Sequence, residues 1–142
     1  HPVMRYVQGD VWFYRGEYER ARQVGEAMRA AAPEQPFGAV LLSKVYAAEG
    51  DAARADEEVA RVTRLVGTRG DALYWKAQID AMQGRADEAL GALRGSIEMG
   101  NENLPWFERD AALDALRADP RFVELMEELR ERWLVYEERY TL

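Results

Sequence analysis

Few side chains in this sequence could carry out catalysis, and their spacing does not bring them together. His1 is the only histidine and stands at the N-terminus, so neither Ser43 nor Ser96 has a histidine base near it in the chain. The adjacent carboxylates Glu57 and Glu58 would point in different directions on a helix, which is typical of solvated surface and not of a metal site. These residues predict no catalytic site, no cofactor and no metal centre.

The composition argues against nucleic-acid and membrane partners. The chain has 142 residues, a net charge of −7 and no cysteine, so a disulfide framework is excluded. An acidic surface repels phosphate backbones and anionic lipids. No apolar run approaches the roughly 20 residues of a membrane span, and we therefore expect a soluble, cytoplasmic protein. The preference for arginine over lysine favours a bacterial origin, and a first residue other than methionine suggests a piece of a longer chain.

A fixed interval of 34 residues organises most of the chain. Three glycines, and three alanines five residues after them, keep this step: Gly16, Gly50, Gly84, Ala21, Ala55 and Ala89. Such a period is typical of one supersecondary unit that is copied and stacked. Each glycine suits a tight turn between two helices, because a left-handed backbone costs glycine least. Each alanine lets two helix axes approach closely.

Apolar residues at helical spacing predict two helices in every period. The predicted helices cover about residues 3–15, 18–32, 37–49, 52–66, 72–83 and 86–99. They form three units, at about residues 3–33, 37–67 and 71–101, within a single domain. Pro33 and Pro36 separate the first unit from the second. Asp71 is predicted as the N-cap of the fifth helix.

The C-terminal part, about residues 102–142, departs from the period and is predicted as a degenerate unit followed by a capping helix. Pro105 suits the first turn of a helix, and Asp119 with Pro120 predicts the N-cap and first residue of the last one. The last helix has an apolar stripe that would cover the open end of the stack. Its members are Phe122, Leu125, Met126, Leu129, Trp133, Tyr136 and Tyr140.

The three units resemble tetratricopeptide repeats in their length, their turn glycine, their small residue and the aromatic residues Trp12 and Tyr46 near the end of the first helix. The resemblance implies an all-α fold: a right-handed superhelix of antiparallel helix pairs with three repeats, a degenerate fourth and a C-terminal capping helix. Four positions depart from the family pattern. Asp80 stands where an aromatic is usual, and Gly67 and Asn101 replace a terminal proline. Gly25 replaces a bulky residue, either to permit a close helix contact or at a cost to the first unit.

By this resemblance the first helix of each unit lines a concave face that binds a protein or peptide. The side chains that would face the partner are mostly apolar or aromatic: Tyr6, Asp10, Phe13, Tyr14, Phe37, Val40, Lys44, Tyr74, Gln78 and Met82. The lysines and asparagines that some family members use to grip an acidic C-terminus are missing at the matching positions. We therefore expect a regulatory interaction module whose partner carries apolar anchors.

Alternatives remain open on the sequence. Tyr6, Phe13, Tyr14 and Tyr74 fit a helix-packing core as well as a binding groove. A second hypothesis is self-association into a homodimer through Trp133, Tyr136 and Tyr140 of the last helix. A third is that the chain is the sensor segment of a larger bacterial kinase, cyclase or transcriptional regulator, because residues 115–122 resemble the ends of repeat segments in such proteins.

Overall fold

The computed structural model describes residues 1–141, which form helices joined by short turns and contain no strand. Nine helices occur in this range: α1 Pro2–Tyr14, α2 Tyr18–Ala31, α3 Phe37–Ala48, α4 Ala52–Val66, α5 Gly70–Met82, α6 Ala86–Glu98, α7 Leu104–Phe107, a 3-10 helix Ala111–Leu116 and α8 Pro120–Tyr140. The first six pack as neighbouring pairs, α1 with α2, α3 with α4 and α5 with α6. The prediction of an all-α protein is confirmed, and the six predicted helices end within two residues of the observed ones.

The repeated glycines close all three pairs in the same way. Gly16, Gly50 and Gly84 have φ angles of 75°, 80° and 76°, a left-handed conformation that side chains disfavour. The amide of the next residue then donates back to a carbonyl five residues earlier, for example from Glu17 to Trp12 over 2.9 Å. This hydrogen bond supplies a donor to a carbonyl group at the end of the first helix, which would otherwise lack one. The alanine that follows is fully buried in each pair.

A pair of glycines brings α2 and α3 into direct backbone contact. A Cβ atom on Gly38 would lie 2.7 Å from the backbone nitrogen of Arg29 and 2.9 Å from the carbonyl oxygen of Gly25. A Cβ atom on Gly25 would lie 2.9 Å from Cγ of Leu42. Gly25 therefore serves a close helix contact, which is one of the two roles that the sequence left open.

Two helix starts were predicted from aspartates, and one of the predictions is wrong. Asp119 is the N-cap of α8, where its Oδ1 accepts from the Arg121 amide over 2.9 Å, and Pro120 is the first helical residue as expected. Asp71 is not a cap, because α5 begins one residue earlier with Arg69 in the capping position. Asp71 lies instead in the first turn, where its negative charge still favours the positive end of the helix dipole.

The C-terminal elements add a second layer to the last pair. Residues 104–117, which contain α7 and the 3-10 helix, turn back to contact α5, and α8 packs against α6 and α7. The core between them is apolar and includes Leu104, Phe107, Leu113, Leu116, Phe122, Leu125, Met126 and Leu129. No helix within residues 1–141 combines the length and the hydrophobicity that crossing a lipid bilayer requires.

Candidate functional site

The ten residues predicted to face a partner all lie on α1, α3 and α5, the first helices of the three pairs. We call the surface that these ten residues mark the first-helix surface. Helix α3 contacts both α1 and α5, so the three helices lie side by side. Half of the ten residues are partly exposed, namely Tyr6, Asp10, Tyr14, Phe37 and Met82. The other half are buried, namely Phe13, Val40, Lys44, Tyr74 and Gln78.

The middle of the first-helix surface is covered by residues 104–117 of the same chain, and Asp110 is the centre of that contact. Its carboxylate is completely buried. Tyr14 of α1 donates to Oδ1 over 2.7 Å, while Gln78 of α5 donates to Oδ2 over 2.7 Å. Tyr74 also donates its hydroxyl to Oδ2, and the Ala112 amide donates to Oδ1 over 3.0 Å. Four donors thus satisfy one buried carboxylate, which joins α1 to α5 across α3.

Local contacts hold the 104–117 segment in the shape that presents Asp110. Asp110 is the N-cap of the 3-10 helix, and Arg117 donates to its carbonyl oxygen over 2.8 Å. Phe107 is completely buried, with its ring 5.2 Å from that of Tyr74. A second aromatic contact joins Trp106 to Tyr14 at 5.6 Å. The segment is therefore anchored by apolar packing as well as by the carboxylate.

Lys44 forms the second buried charge of this surface. Only 1% of its side chain is exposed, and Nζ lies 2.5 Å from Oδ1 of Asp10 and 3.3 Å from the Tyr14 hydroxyl. The ammonium also lies over the ring of Phe13, at 4.9 Å from its centre. Tyr14 accepts from Lys44 and donates to Asp110, so the ion pair and the buried carboxylate belong to one hydrogen-bond network.

The tyrosines of this network are held in their protonated form. Burial raises the pKa of Tyr14 and Tyr74 well above the usual value, and the negative charge of Asp110 raises both further. The pKa of Tyr6 is also raised, first by burial and then by the charges of Asp10 and Asp110. A protonated hydroxyl is what Asp110 requires, because a carboxylate can only accept. All four donors to Asp110 are therefore present when the tyrosines are neutral, while Oε1 of Gln78 has no hydrogen-bond partner within residues 1–141.

These raised pKa values predict a loss of stability at alkaline pH. The unfolded chain ionises its tyrosines from about pH 10, whereas the folded chain resists ionisation, so stability is complete below that pH and falls above it. As the pH rises above about 10, the urea concentration at the midpoint of unfolding should fall less steeply for Tyr74→Phe than for the wild type. Tyr140→Phe is the matched control, because Tyr140 is 78% exposed. Equal slopes for Tyr74→Phe and the wild type would contradict the prediction.

Several residues predicted to meet a partner are occupied within the chain. Val40 is fully buried beside Val62 of α4, because α4 closes over that side of α3. Phe13 and Tyr74 belong to the core. The sequence had left open whether these two residues line a groove or pack between helices. Lys44 is neutralised by Asp10 and is not presented at the surface.

The part of the first-helix surface that stays open carries a row of three aromatic rings. The ring of Tyr6 lies 5.5 Å from that of Phe37, which lies 6.4 Å from that of Trp75. We call these three residues the aromatic row. All three are half-buried, and each comes from a different helix pair. Tyr6 and Phe37 are among the ten residues predicted to face a partner, whereas Trp75 is not.

An open cleft of about 510 Å³ separates the 3-10 helix from the turn between α1 and α2. Phe13, Tyr14, Tyr18, Met82 and Ala112 are among the residues that line it. Of the ten predicted residues, Phe13, Tyr14 and Met82 therefore border open space at the edge of the 104–117 segment.

The residues predicted for self-association differ in their surroundings. Trp133 packs against the C-terminal core and donates from Nε1 to the carbonyl oxygen of Glu102 over 2.9 Å. It is held by its own chain, because the turn before α7 passes beside α8. Tyr136 and Tyr140 are exposed, and the Tyr136 hydroxyl lies 3.5 Å from Oε1 of Glu102.

Charged side chains of residues 1–141 form no group of three or more that could hold a metal ion. Comparison with known proteins leaves the site to be interpreted from its own geometry: no protein-family model and no curated protein matches this sequence.

Proposed function

We propose that this chain is a protein- or peptide-binding module of regulatory type, built as a tetratricopeptide-like right-handed superhelix, and that its partner docks on the aromatic row. The observation that carries the proposal is the row itself: three half-buried rings, supplied by three successive helix pairs, in continuous contact. The partner is a segment of another protein with apolar anchors.

The contacts around the row suit it to binding. Rings that already pack against one another lose little conformational freedom when a partner covers their exposed edges. The row is also only partly closed by α4, since its three rings remain half-buried. Asp10 stands four residues after Tyr6 on α1 and is already neutralised by Lys44, so an apolar side chain near Tyr6 leaves this carboxylate paired.

We expect the loss of one ring of the row to weaken capture of apolar peptides. The probe is a set of peptides selected from a displayed random library for binding to the wild-type chain. Trp75→Ala should weaken their binding by roughly tenfold or more, since tryptophan is among the residue types that dominate such contacts. Binding is measured by fluorescence anisotropy, and the melting temperature of each variant is measured in parallel.

Two further variants separate binding from folding. Phe37→Leu keeps an apolar side chain at the row. It should preserve the fold while still weakening the binding of the peptides. Tyr140→Ala removes an exposed aromatic residue from α8 and should leave binding unchanged. Selected peptides that bind Trp75→Ala as tightly as the wild type would show that the row is not the site.

A further inference from the structure

The outer face of α1 is apolar and uncovered. Met4, Val7 and Val11 lie about one turn apart along the helix, and their exposed fractions are 66%, 46% and 47%. We call these three residues the α1 outer face. Val3 of the same helix is exposed as well, so α1 has four large apolar side chains in contact with solvent. An exposed apolar patch of this kind is often an interaction site.

The repeat itself indicates what such a face normally contacts. The residues 34 positions later are Gly38, Leu41 and Val45 of α3, and all three are buried. Gly38 lies against the backbone of α2 at Arg29, whereas Leu41 and Val45 share a cluster with Phe13 of α1 and Ala21 of α2. In α3, therefore, the equivalent face is covered by the preceding helix pair.

The third pair repeats this arrangement fully at one of the three positions and in part at the other two, where Ala72 and Trp75 are half-buried against Val40 and Val62 of the second pair. Ile79 of α5 stands 34 residues after Val45 and 68 after Val11. It is buried in a cluster with Leu42, Tyr46 and Ala55 of the second pair. In both places where the chain contains a preceding pair, that pair covers this position.

We propose that the α1 outer face is the docking surface for a further helix pair, joined to the N-terminal side of His1 in the same 34-residue register. The contact would continue the stacking that α1 and α2 make with α3 and that α3 and α4 make with α5. The proposal concerns α1 alone and does not depend on the aromatic row.

A covalently joined pair suits this face better than a separate molecule. Three partly exposed side chains are far fewer than the roughly 800 Å² per partner that a stable interface between free proteins buries. A second copy of the chain would also bring together two molecules of net charge −7. Attachment through the backbone removes both difficulties, because the effective concentration of a tethered pair is high.

Two residues define the shape that the docking pair must have. Met4 replaces Gly38, whose place allows no side chain in the second unit, so the added pair must leave room for a thioether side chain. Gln8 replaces the buried Leu42, so the added pair must offer Gln8 a hydrogen-bond partner. The added helix pair must therefore have the same length as the other pairs, but its surface toward α1 must differ from the surface that α1 and α2 present to α3.

If the proposal is right, the natural polypeptide includes about 34 more residues before His1, and the experiment compares that extended protein with the 142-residue chain. In the extended protein, hydrogen exchange of the α1 amides should slow by about tenfold or more, because the helix no longer frays at the surface. Val7→Glu should lower the melting temperature of the extended protein by roughly 4–8 °C. In the 142-residue chain the same change should matter by less than about 2 °C, since Val7 is partly exposed there.

Val123→Glu is the matched control, because Val123 is 45% exposed on α8 and lies outside the repeat. It should have the same small effect in both proteins. The proposal would be overturned if Val7→Glu had an equal effect in both proteins or if the added residues exchanged as fast as an unfolded chain. It would also be overturned if the natural polypeptide had no helix pair before His1. A dimeric mass of the 142-residue chain by light scattering that Val7→Glu converts to a monomer would overturn it in favour of a second copy.

Discussion

Asp110→Ala is expected to lower the free energy of unfolding by about 3–5 kcal/mol. The change removes the acceptor for the hydroxyls of Tyr14 and Tyr74 and for the amide of Gln78. The two hydroxyls would remain beneath the 104–117 segment without an acceptor, and Gln78 would keep only its hydrogen bond to Tyr14 over 3.1 Å. An unsatisfied buried donor costs about 1–3 kcal/mol. Urea denaturation followed by circular dichroism measures the change.

The 3-10 helix supplies a matched control for this prediction. Asp114 is an exposed carboxylate that pairs only with Arg117 over 2.9 Å, so Asp114→Ala should change stability by less than about 1 kcal/mol. Asp110→Asn keeps the shape of the side chain but replaces one acceptor with a donor that faces other donors. Its loss of unfolding free energy should lie between those of Asp114→Ala and Asp110→Ala. If Asp110→Ala and Asp114→Ala cost the same, the buried network does not hold the segment in place.

Gly38→Ala is expected to destabilise the protein by about 2–3 kcal/mol through overpacking. The added methyl group would lie 2.7 Å from the Arg29 nitrogen and 2.9 Å from the Gly25 carbonyl oxygen. Both are backbone atoms, which cannot rotate away as a flexible side chain can, so α2 and α3 must separate. The free energy of unfolding in urea and the melting temperature both report this loss.

A second helical glycine tests whether the cost comes from the contact. Gly91 of α6 is exposed, and no atom lies within 4 Å of the position that its Cβ would occupy. Gly91→Ala should therefore stabilise the protein by up to about 1 kcal/mol, because alanine has the higher helix propensity. A stabilising effect of alanine at both positions would refute the close contact between α2 and α3.

Local sequence was sufficient for most of the helical architecture. The 34-residue interval located the turns at Gly16, Gly50 and Gly84, and all three adopt the left-handed conformation that was expected. The small residues Ala21 and Ala55 are buried as predicted. These features are readable because turns and helix faces depend on residues a few positions apart. The cap of α5 was missed by two residues, because Asp71 has the side chain of a typical N-cap whereas Arg69, which occupies that position, makes no side-chain cap hydrogen bond.

Half of the candidate site could not be read in this way. The character of the first-helix residues was recognised, but their surroundings depend on Asp110, which is 96 residues from Tyr14 along the chain. Residues 104–117 have no counterpart in the repeat, so no periodicity indicated that they cover Tyr74 and Gln78. The hydrogen bond from Trp133 to Glu102 was not predicted for the same reason, although the packing of Trp133 in the capping stripe was.

Repetition and helical spacing in the amino-acid sequence are thus enough to specify which residues form helices, where the chain turns and which small residues lie between helix axes. Which aromatic and charged side chains remain accessible was settled only by tertiary packing. The physical reason is that burial is a property of the neighbours that a residue acquires in space: Tyr74 and Gln78 are buried with their donors on one carboxylate from a segment outside the repeat.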